Sequence, residues 1–323
     1  MRQLKNMAQA GKDGYVAVQG AHRTRAQITC STGTRLSSNT TPWSSRPCDQ
    51  DLQRAEGAVR IVLSGSENGT RVREVFQKSP LRILFPSTIA GAVEEAVLVN
   101  TGGGIAGGDR LEYGVTALAN ASIAVTSQAA EKVYRALSAS AHSATRLKVC
   151  AGAKLAWVPQ ETILFNWARL SRTTEIEITE GAELLALEWL VLGRAAHGEK
   201  VTGGHIVDRW RVKKDSRLIW ADTFRATDET FPHLQRKALL SDCKAFGTLV
   251  YFGPHLDARL ELLRDIVPAR GCYCSMTSVS GLIIARFAAG TSFEARLALR
   301  GFLQHLGGEL GGHPFRVPKM WSC

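Results

Sequence analysis

Short runs in which apolar and polar residues alternate dominate the sequence from Ala58 onward. Examples are "AVRIVLS", "TTEIEITEG" and "HIVDRWRVKK", and Gly, Pro or Asn stands between many successive runs. A period of two, as in "TEIEIT", places successive side chains on opposite faces of a strand. A chain with this pattern can bury its apolar side chains only by packing sheet faces together. We therefore predict a mainly β fold.

Three of these runs share a turn and a strand that recur at regular intervals. "ANASIAV", "AGAKLAWV" and "EGAELLAL" place Asn120, Gly152 and Gly181, respectively, before Ala, a polar residue and an alternating strand, at spacings of 32 and 29 residues. A turn and strand that recur every 20 to 50 residues or so are typical of stacked β units. The repeat favours a β-helical or stacked β-sheet scaffold.

Helical periodicity is convincing in two segments near the C-terminus. "LDARLELLRDIV" places Leu256, Leu260, Leu263 and Val267 along one helical face. "SFEARLALRGFLQHL" is predicted to place five apolar residues on one face, namely Phe293, Leu297, Leu299, Phe302 and Leu306. A "GG" pair follows this segment as a stop signal. We expect about two α-helices in this part of the chain.

The first 54 residues differ in composition from the rest. They are rich in Ser, Thr, Gly and Arg, and their eight basic and three acidic residues contribute +5 of the formal net charge of +11. Such a segment cannot bury enough apolar surface to offset the entropy lost on ordering. We predict that residues 1–54 are a disordered N-terminal extension, with a start codon assigned too early or an organelle transit peptide as alternatives. Residues 55–323 are predicted to form the β domain.

Composition also argues against several classes of protein. No stretch approaches 18 consecutive apolar residues, and the N-terminus lacks the apolar segment of a secretory signal, so we expect no membrane partner. The seven cysteines are odd in number and scattered, which favours a reducing compartment and a cytoplasmic protein. The aromatic residues do not interleave with a basic stripe, and we therefore expect no nucleic-acid partner.

A glycine-rich stretch, "VNTGGGIAGGDRL" at residues 99–111, contains a G-x-G-x-x-G pattern formed by Gly102, Gly104 and Gly107. This pattern occurs in dinucleotide-binding turns, which makes a nucleotide-dependent oxidoreductase the alternative function. Such a turn needs a helix after its last glycine and an acid about twenty residues further on. Here the following residues alternate as in a strand, and Ser127 stands twenty positions beyond Gly107. The pattern favours a strand–turn–strand unit whose backbone approaches a neighbour closely.

A few side chains could carry chemistry. Cys272 and Cys274 form a C-x-C pair, for which a metal site is one interpretation. Acids inside apolar runs are more informative, because an unpaired carboxylate is costly to desolvate. Glu161, Glu188 and Asp222 lie in such runs.

Five stretches occur in an order that, taken together, is specific. They are "LVNTGGGIAGGDRL", "TSQAAEKVYR", "WVPQETILF", "LVLGRAAHGE" and "PFRVPKMW", and the resemblance they carry spans roughly residues 58–321. Through these five stretches the chain resembles the urease accessory protein UreD family, also called UreH. The family's turn then corresponds to Gly103, Gly104, Gly107 and Gly108. Thr101 and Gly102 depart from it, since relatives commonly have Pro or Ser there.

The resemblance implies a β-helical scaffold that is not an enzyme and holds no tightly bound cofactor. It implies a role as a chaperone in which the chain binds UreF, UreG through UreF, and apo-urease, and in which Ni²⁺ passes transiently through the protein. By match to the family's motifs, Asp109, Glu188 and Asp222 are expected along the nickel path. Separate carboxylates suit such a path, because clustered imidazoles and thiolates would retain Ni²⁺.

Overall fold

The computed structural model describes residues 53–67, 69–86, 94–265, 271–307 and 317–321, and these ranges contain seventeen strands and two α-helices. The N-terminal extension, residues 1–54, is predicted to be disordered. Of these residues, 1–52 lie outside the described ranges. The described part is mostly strand, so the prediction of a mainly β fold is confirmed.

The strands are distributed along the whole described chain. The first nine are β1 (Glu56–Ser66), β2 (Gly69–Lys78), β3 (Leu81–Leu84), β4 (Glu94–Asn100), β5 (Arg110–Ala117), β6 (Ser122–Ser127), β7 (Glu131–Val133), β8 (Ala141–Val149) and β9 (Lys154–Trp157). The other eight are β10 (Thr162–Leu164), β11 (Arg169–Ile178), β12 (Glu183–Leu192), β13 (His205–Lys214), β14 (Arg217–Ala226), β15 (Ala245–Phe252), β16 (Cys272–Val279) and β17 (Leu282–Ala289). The helices are α1 (Leu256–Asp265) and α2 (Ser292–Gly307).

These strands form two sheets. Sheet 1 has the order β14-β13-β11-β8-β5-β1-β2. Sheet 2 has the order β16-β17-β15-β12-β9-β6-β4-β3, and the short strands β7 and β10 extend it from β12. In the middle of each sheet the neighbours are parallel, whereas the pairs β1–β2, β13–β14, β3–β4 and β12–β15 are antiparallel. Antiparallel strands therefore bound both ends of each parallel run.

The chain alternates between the two sheets, so each coil adds one strand to each of them. Strands β4, β6, β9 and β12 follow one another in sheet 2, while β5, β8, β11 and β13 follow one another in sheet 1. In sheet 2, Ile123 pairs with Leu155 and Leu155 pairs with Leu184, steps of 32 and 29 residues. These are the spacings of the sequence repeat, and the β-helical, stacked arrangement is confirmed.

The repeated turns lie directly above one another. Asn120, Gly152 and Gly181 all have positive φ values, of 60°, 72° and 78°. The Gly152 N–H donates a hydrogen bond to the Gly181 carbonyl at 3.0 Å. This left-handed backbone conformation explains why small residues recur at these positions.

Two apolar cores lie on the two faces of sheet 2. Alternate residues of β12, such as Leu184 and Ala186, belong to the core shared with sheet 1, whereas Leu185 and Leu187 belong to the core shared with the helices. Because both faces are covered, the run "ELLALEWLV" is buried at every position. This is the continuous apolar pattern expected of a strand buried on both faces.

The two helices cover the outer face of sheet 2 and match the predicted segments. In α1, Leu260 and Leu263 are buried, as predicted, and Leu256 is partly buried. The fourth residue of the predicted face, Val267, lies outside the described residues. In α2 the predicted apolar face was partly wrong, because Phe293 and Leu297 are 71% and 51% exposed. Leu299, Phe302 and Leu306 are buried, as predicted, and Ala295, Ala298 and Leu303 complete the buried stripe. Two small alanines complete the face that packs on the sheet, and the helix turns Phe293 and Leu297 to the opposite side.

Among the described residues, no helix combines the length and apolar character needed to cross a bilayer.

Candidate functional site

Two rows of polar side chains interrupt the apolar core between the sheets. Strand register in sheet 1 aligns Leu111, Ser143, Arg172 and Asp208 in one row. The neighbouring row contains Tyr113, Thr145, Thr174, Trp210 and Asp222. The next row, Val115, Leu147, Ile176 and Val212, is apolar and buried. Polar side chains in a protein interior require hydrogen-bond or ionic partners. Residues of these two rows also line two cavities.

The first cavity has a volume of about 270 Å³. Its polar lining includes Asn100, Tyr113, Glu131, Thr145, Gln160, Thr162, Arg172 and Glu188. Leu81, Leu98, Ile105, Trp157 and Leu170 are among its apolar lining residues. Gly103, from the predicted glycine turn, also lines it.

Glu131, at the start of β7, is a carboxylate of the first cavity that the sequence analysis missed. The amide nitrogen of Asn100 donates to both of its oxygens, at 3.0 and 3.1 Å, and Asn100 Oδ1 accepts from the Gly102 N–H at 2.9 Å. Burial raises the pKa of Glu131 to about 7, against the hydrogen bond from Asn100. The glycine turn therefore positions, through Asn100, a carboxylate that titrates near neutral pH.

Glu188 lies on β12, on the face directed at sheet 1, and lines both cavities. Its Oε1 accepts from the Trp157 indole N–H at 2.9 Å, and its Oε2 accepts from Arg172 Nη1 at 2.7 Å. Burial raises the pKa of Glu188, Arg172 acts in the opposite direction, and the charge of Asp208 reinforces the rise. Glu188, which interrupts an apolar run of the sequence, is therefore buried, and each of its two carboxylate oxygens accepts a hydrogen bond.

Arg172 connects Glu188 to Asp208. Its Nε and Nη2 donate to the two carboxylate oxygens of Asp208 at 2.9 and 2.6 Å, a bidentate arrangement. All three side chains are at most 10% exposed. Burial opposes the charge of Arg172, but Asp208 and then Glu188 outweigh this effect, so the pKa of the guanidinium is raised.

The second cavity has a volume of about 480 Å³ and shares Glu188 with the first. Its polar lining includes Asp208, Asp222, Thr248, Cys274, Ser275 and Arg286. Asp222 of β14 pairs with Arg286 of β17, with 2.9 Å between Oδ2 and Nη2. This ion pair joins the two sheets beside the cavity, and Asp222 and Glu188 both belong to its lining.

Asp109 has a different environment. Its Oδ1 accepts from the Ala55 N–H at 2.9 Å, and its Oδ2 accepts from the Ala106 N–H at 2.7 Å. The residue is 6% exposed and is absent from the lining of both cavities. Both oxygens therefore fix the backbone of the glycine turn against the chain that precedes β1.

The glycine turn requires its glycines for conformation and close approach. Gly103, Gly104 and Gly108 have φ values of 74°, 151° and 91°. A Cβ at Gly104 would lie 2.7 Å from the ring of Tyr134, and one at Gly107 would lie 2.5 Å from the Ala139 carbonyl oxygen. The turn leads into β5 and not into a helix, so it lacks the helix N-terminus that holds a pyrophosphate in a dinucleotide site.

The C-x-C pair lies on β16, at the edge of sheet 2. Burial raises the pKa of Cys272 to about 11 and that of Cys274 to about 12, so both are thiols at neutral pH and weak metal ligands. Glu161, also singled out from the sequence, pairs with Arg296 of α2 at 2.6 Å. Within the described ranges, no group of three or more His, Cys, Asp or Glu residues could hold a metal ion.

Comparisons with known proteins follow the same division of the chain. The family model described as "UreD urease accessory protein" matches residues 55–322. The urease accessory protein UreD of Rhizobium johnstonii is 39% identical over 270 residues, which cover 84% of this chain and 96% of the relative. The UreD protein of Mesorhizobium japonicum is 39% identical over 272 residues, covering 84% and 95%. That of Brucella suis is 36% identical over 273 residues, covering 84% and 95%.

Proposed function

The chain belongs to the UreD urease accessory protein family, and from this premise we propose that it conducts Ni²⁺ to apo-urease through the space between its two sheets. In this proposal it is a non-catalytic scaffold and chaperone that binds apo-urease together with UreF, and UreG through UreF. Its assembly takes place in the cytoplasm, the reducing compartment that its scattered cysteines favour. Ni²⁺ is a transient cargo, and no tightly bound cofactor is required.

The observation that carries the proposal is a series of carboxylates along two cavities that share Glu188 in their linings. Glu131 lines the first cavity, Glu188 lines both, and Asp208 and Asp222 line the second. Carboxylates in an interior of low dielectric constant attract a divalent cation far more strongly than the same groups in water. A cation could therefore leave bulk water for this space without losing all electrostatic compensation.

The ligand types also suit transfer. In the described part of the chain, oxygen atoms predominate in the polar lining of both cavities, no histidine belongs to either lining, and Cys274 is the one cysteine. Oxygen ligands hold Ni²⁺ less tightly than imidazole or thiolate groups. Gln160 lines the first cavity with an Nε2 that has no partner among the described residues, so it can bind the water that accompanies a hydrated ion.

The test is urease maturation in a urease-producing host that lacks its own copy of this chain. Glu188→Gln and Glu131→Gln keep the size of the side chains and one acceptor oxygen, but they remove the negative charge. We expect both variants to co-purify with UreF, while the nickel bound to urease and the urease activity fall several-fold. Normal nickel content in both variants would contradict the nickel path.

Asp109→Asn is the matched control, because Asp109 is equally buried but lines neither cavity. An asparagine oxygen can keep only one of its two backbone hydrogen bonds, at a cost of about 1 kcal/mol of stability. We expect this variant to melt at a lower temperature and to support normal nickel transfer. A drop in nickel equal to that of Glu188→Gln would instead place Asp109 on the path.

A further inference from the structure

Three charged side chains that contact one another link the linings of the two cavities. Arg172 belongs to the lining of the first cavity, Asp208 to that of the second, and Glu188 is the one described residue that belongs to both. A cation that moves from one cavity to the other past Glu188 would meet these three groups. At this point it meets a fixed positive charge, which a simple conduit for cations would not contain.

We propose that Arg172 is a tethered counter-ion that occupies, between Glu188 and Asp208, the position that a divalent cation takes as it crosses from one cavity to the other. The inference rests on the proposed nickel path and adds a gate to it. Two carboxylates without the guanidinium carry a charge of −2, which matches one divalent cation. With the guanidinium in place they carry −1, and the buried charges remain paired while no cargo is present.

The contacts allow this exchange because Glu188 has a second anchor. The Trp157 indole N–H holds Glu188 Oε1 at 2.9 Å, independently of Arg172, which binds Oε2. When the guanidinium leaves, the carboxylate keeps its position. The arginine also has somewhere to go, since it lines the first cavity of about 270 Å³ and its Nη1 already contacts Thr162 Oγ1 at 3.3 Å on that side.

The gate selects by charge. A monovalent cation that displaced Arg172 would gain no more Coulomb energy than the guanidinium loses, and it would lack the bidentate hydrogen bonds to Asp208. A divalent cation with a preference for oxygen and nitrogen ligands, such as Ni²⁺ or Mn²⁺, doubles the charge at the same two carboxylates. The structure thus assigns a latent site for one divalent cation to Glu188 and Asp208.

The experiment measures cation binding to the purified full-length chain, with Ni²⁺ by calorimetry and Mn²⁺ by electron paramagnetic resonance. Arg172→Met removes the charge and keeps a long apolar side chain. We expect this variant to bind one Ni²⁺ or Mn²⁺ at least about tenfold more tightly than the wild type. The gain should disappear in the triple variant Arg172→Met, Glu188→Gln, Asp208→Asn.

Arg296→Met is the matched control. Arg296 also pairs with a buried carboxylate, that of Glu161, but it belongs to α2 and lines neither cavity. The Arg296→Met variant should bind Ni²⁺ no more tightly than the wild type. Equal affinities of the wild type and Arg172→Met, or a gain that survives in the triple variant, would overturn the proposal.

Folding gives a second measurement if Arg172→Met is unstable. Two unpaired carboxylates in the interior are strongly destabilising, and a cation that occupies the latent site should restore stability. We then expect Ni²⁺ or Mn²⁺ to raise the melting temperature of Arg172→Met but not that of the triple variant. Failure of both ions to do so, with the triple variant folded, would contradict the latent site.

The outcomes separate this inference from the proposed function. Normal urease maturation with Glu188→Gln and Glu131→Gln would remove the nickel path, whatever Arg172 does. Reduced maturation in those variants, together with unchanged Ni²⁺ affinity in Arg172→Met, would keep the path and remove the gate.

Discussion

At the scale of single residues, Glu131 shows how local structure changes the behaviour of a carboxyl group. Its pKa is raised to about 7, mainly by burial, whereas the hydrogen bond from Arg194 lowers the pKa of Glu199 to about 2. Compared with the unfolded chain, the folded protein therefore holds a proton on Glu131 up to a higher pH and keeps Glu199 ionised down to a lower pH. The two residues should make opposite contributions to the dependence of stability on pH.

We predict that Glu131→Gln becomes more stable relative to the wild type as pH rises. The favourable contribution of Glu131 is complete below its unfolded pKa of about 4.5 and is lost as pH rises through about 7, because the unfolded chain releases the proton first. From pH 4 to pH 8 the difference in unfolding free energy should shift towards the variant by up to about 3 kcal/mol. Urea unfolding across this range measures it.

Glu199→Gln is the control of opposite sign. The contribution of Glu199 is present above about pH 4.5 and is lost as pH falls towards 2, so this variant should be less stable than the wild type at pH 8 and approach it in acid. Parallel pH curves for wild type and Glu131→Gln would contradict the raised pKa of Glu131.

At the scale of elements, the stacked turns give the coil its regular period. Gly152 and Gly181 have similar positive φ values but different surroundings. A Cβ at Gly152 would lie 2.5 Å from Asn120 Oδ1, whereas a Cβ at Gly181 would have no atom within 4 Å. Replacing each glycine by alanine therefore separates the energetic cost of the left-handed backbone conformation, which both turns share, from the cost of steric crowding, which only Gly152 has.

We predict that Gly152→Ala is more destabilising than Gly181→Ala. Both alanines must adopt a left-handed conformation, which costs about 1–2 kcal/mol. Gly152→Ala must also displace the Asn120 side chain from the turn above, which adds about 1 kcal/mol or more. Midpoints of urea unfolding would compare the two variants, and equal losses would show that the turns do not support one another.

Sequence reasoning predicted the elements better than the partners within the site. The alternating runs, the repeat and the two helices depend on local periodicity, which the chain displays directly. Glu188 was found because it interrupts an apolar run. Arg172 and Asp208 were missed, because they lie among other charged residues and face inward only through strand register across 36 positions. Asp222 was found for the same reason as Glu188, whereas its pairing with Arg286 depends on the approach of two sheets.

At the scale of the whole molecule, the described strands and helices all begin after residue 55. The family match also begins at residue 55, and the relatives cover 84% of this chain. Where this region begins, the Ala55 N–H donates a hydrogen bond to Asp109 Oδ1. The sequence features that define the family thus lie outside the basic N-terminal segment.

We predict that a chain lacking residues 1–52 supports urease maturation at the wild-type level. The deletion retains Ala55 and hence the hydrogen bond to Asp109, and it removes a segment whose composition cannot support a core. Urease activity and nickel content in the same host are the measurements. Loss of activity with normal amounts of truncated protein would assign a function to the segment.

The antiparallel strands at both ends of each parallel run have a consequence for self-association. Each coil exposes the same parallel strand edges, to which another coil could pair. The repeat by itself therefore does not limit the number of coils. Strands β2 and β14 occupy the two edges of sheet 1 and run antiparallel to their neighbours. A further coil would need a strand parallel to those neighbours at that position. A chain that lost β14 would expose β13 as a template for a second molecule, and the head-to-tail contact would not close on itself. The hairpins at the edges therefore keep a repetitive architecture from becoming an open-ended fibre.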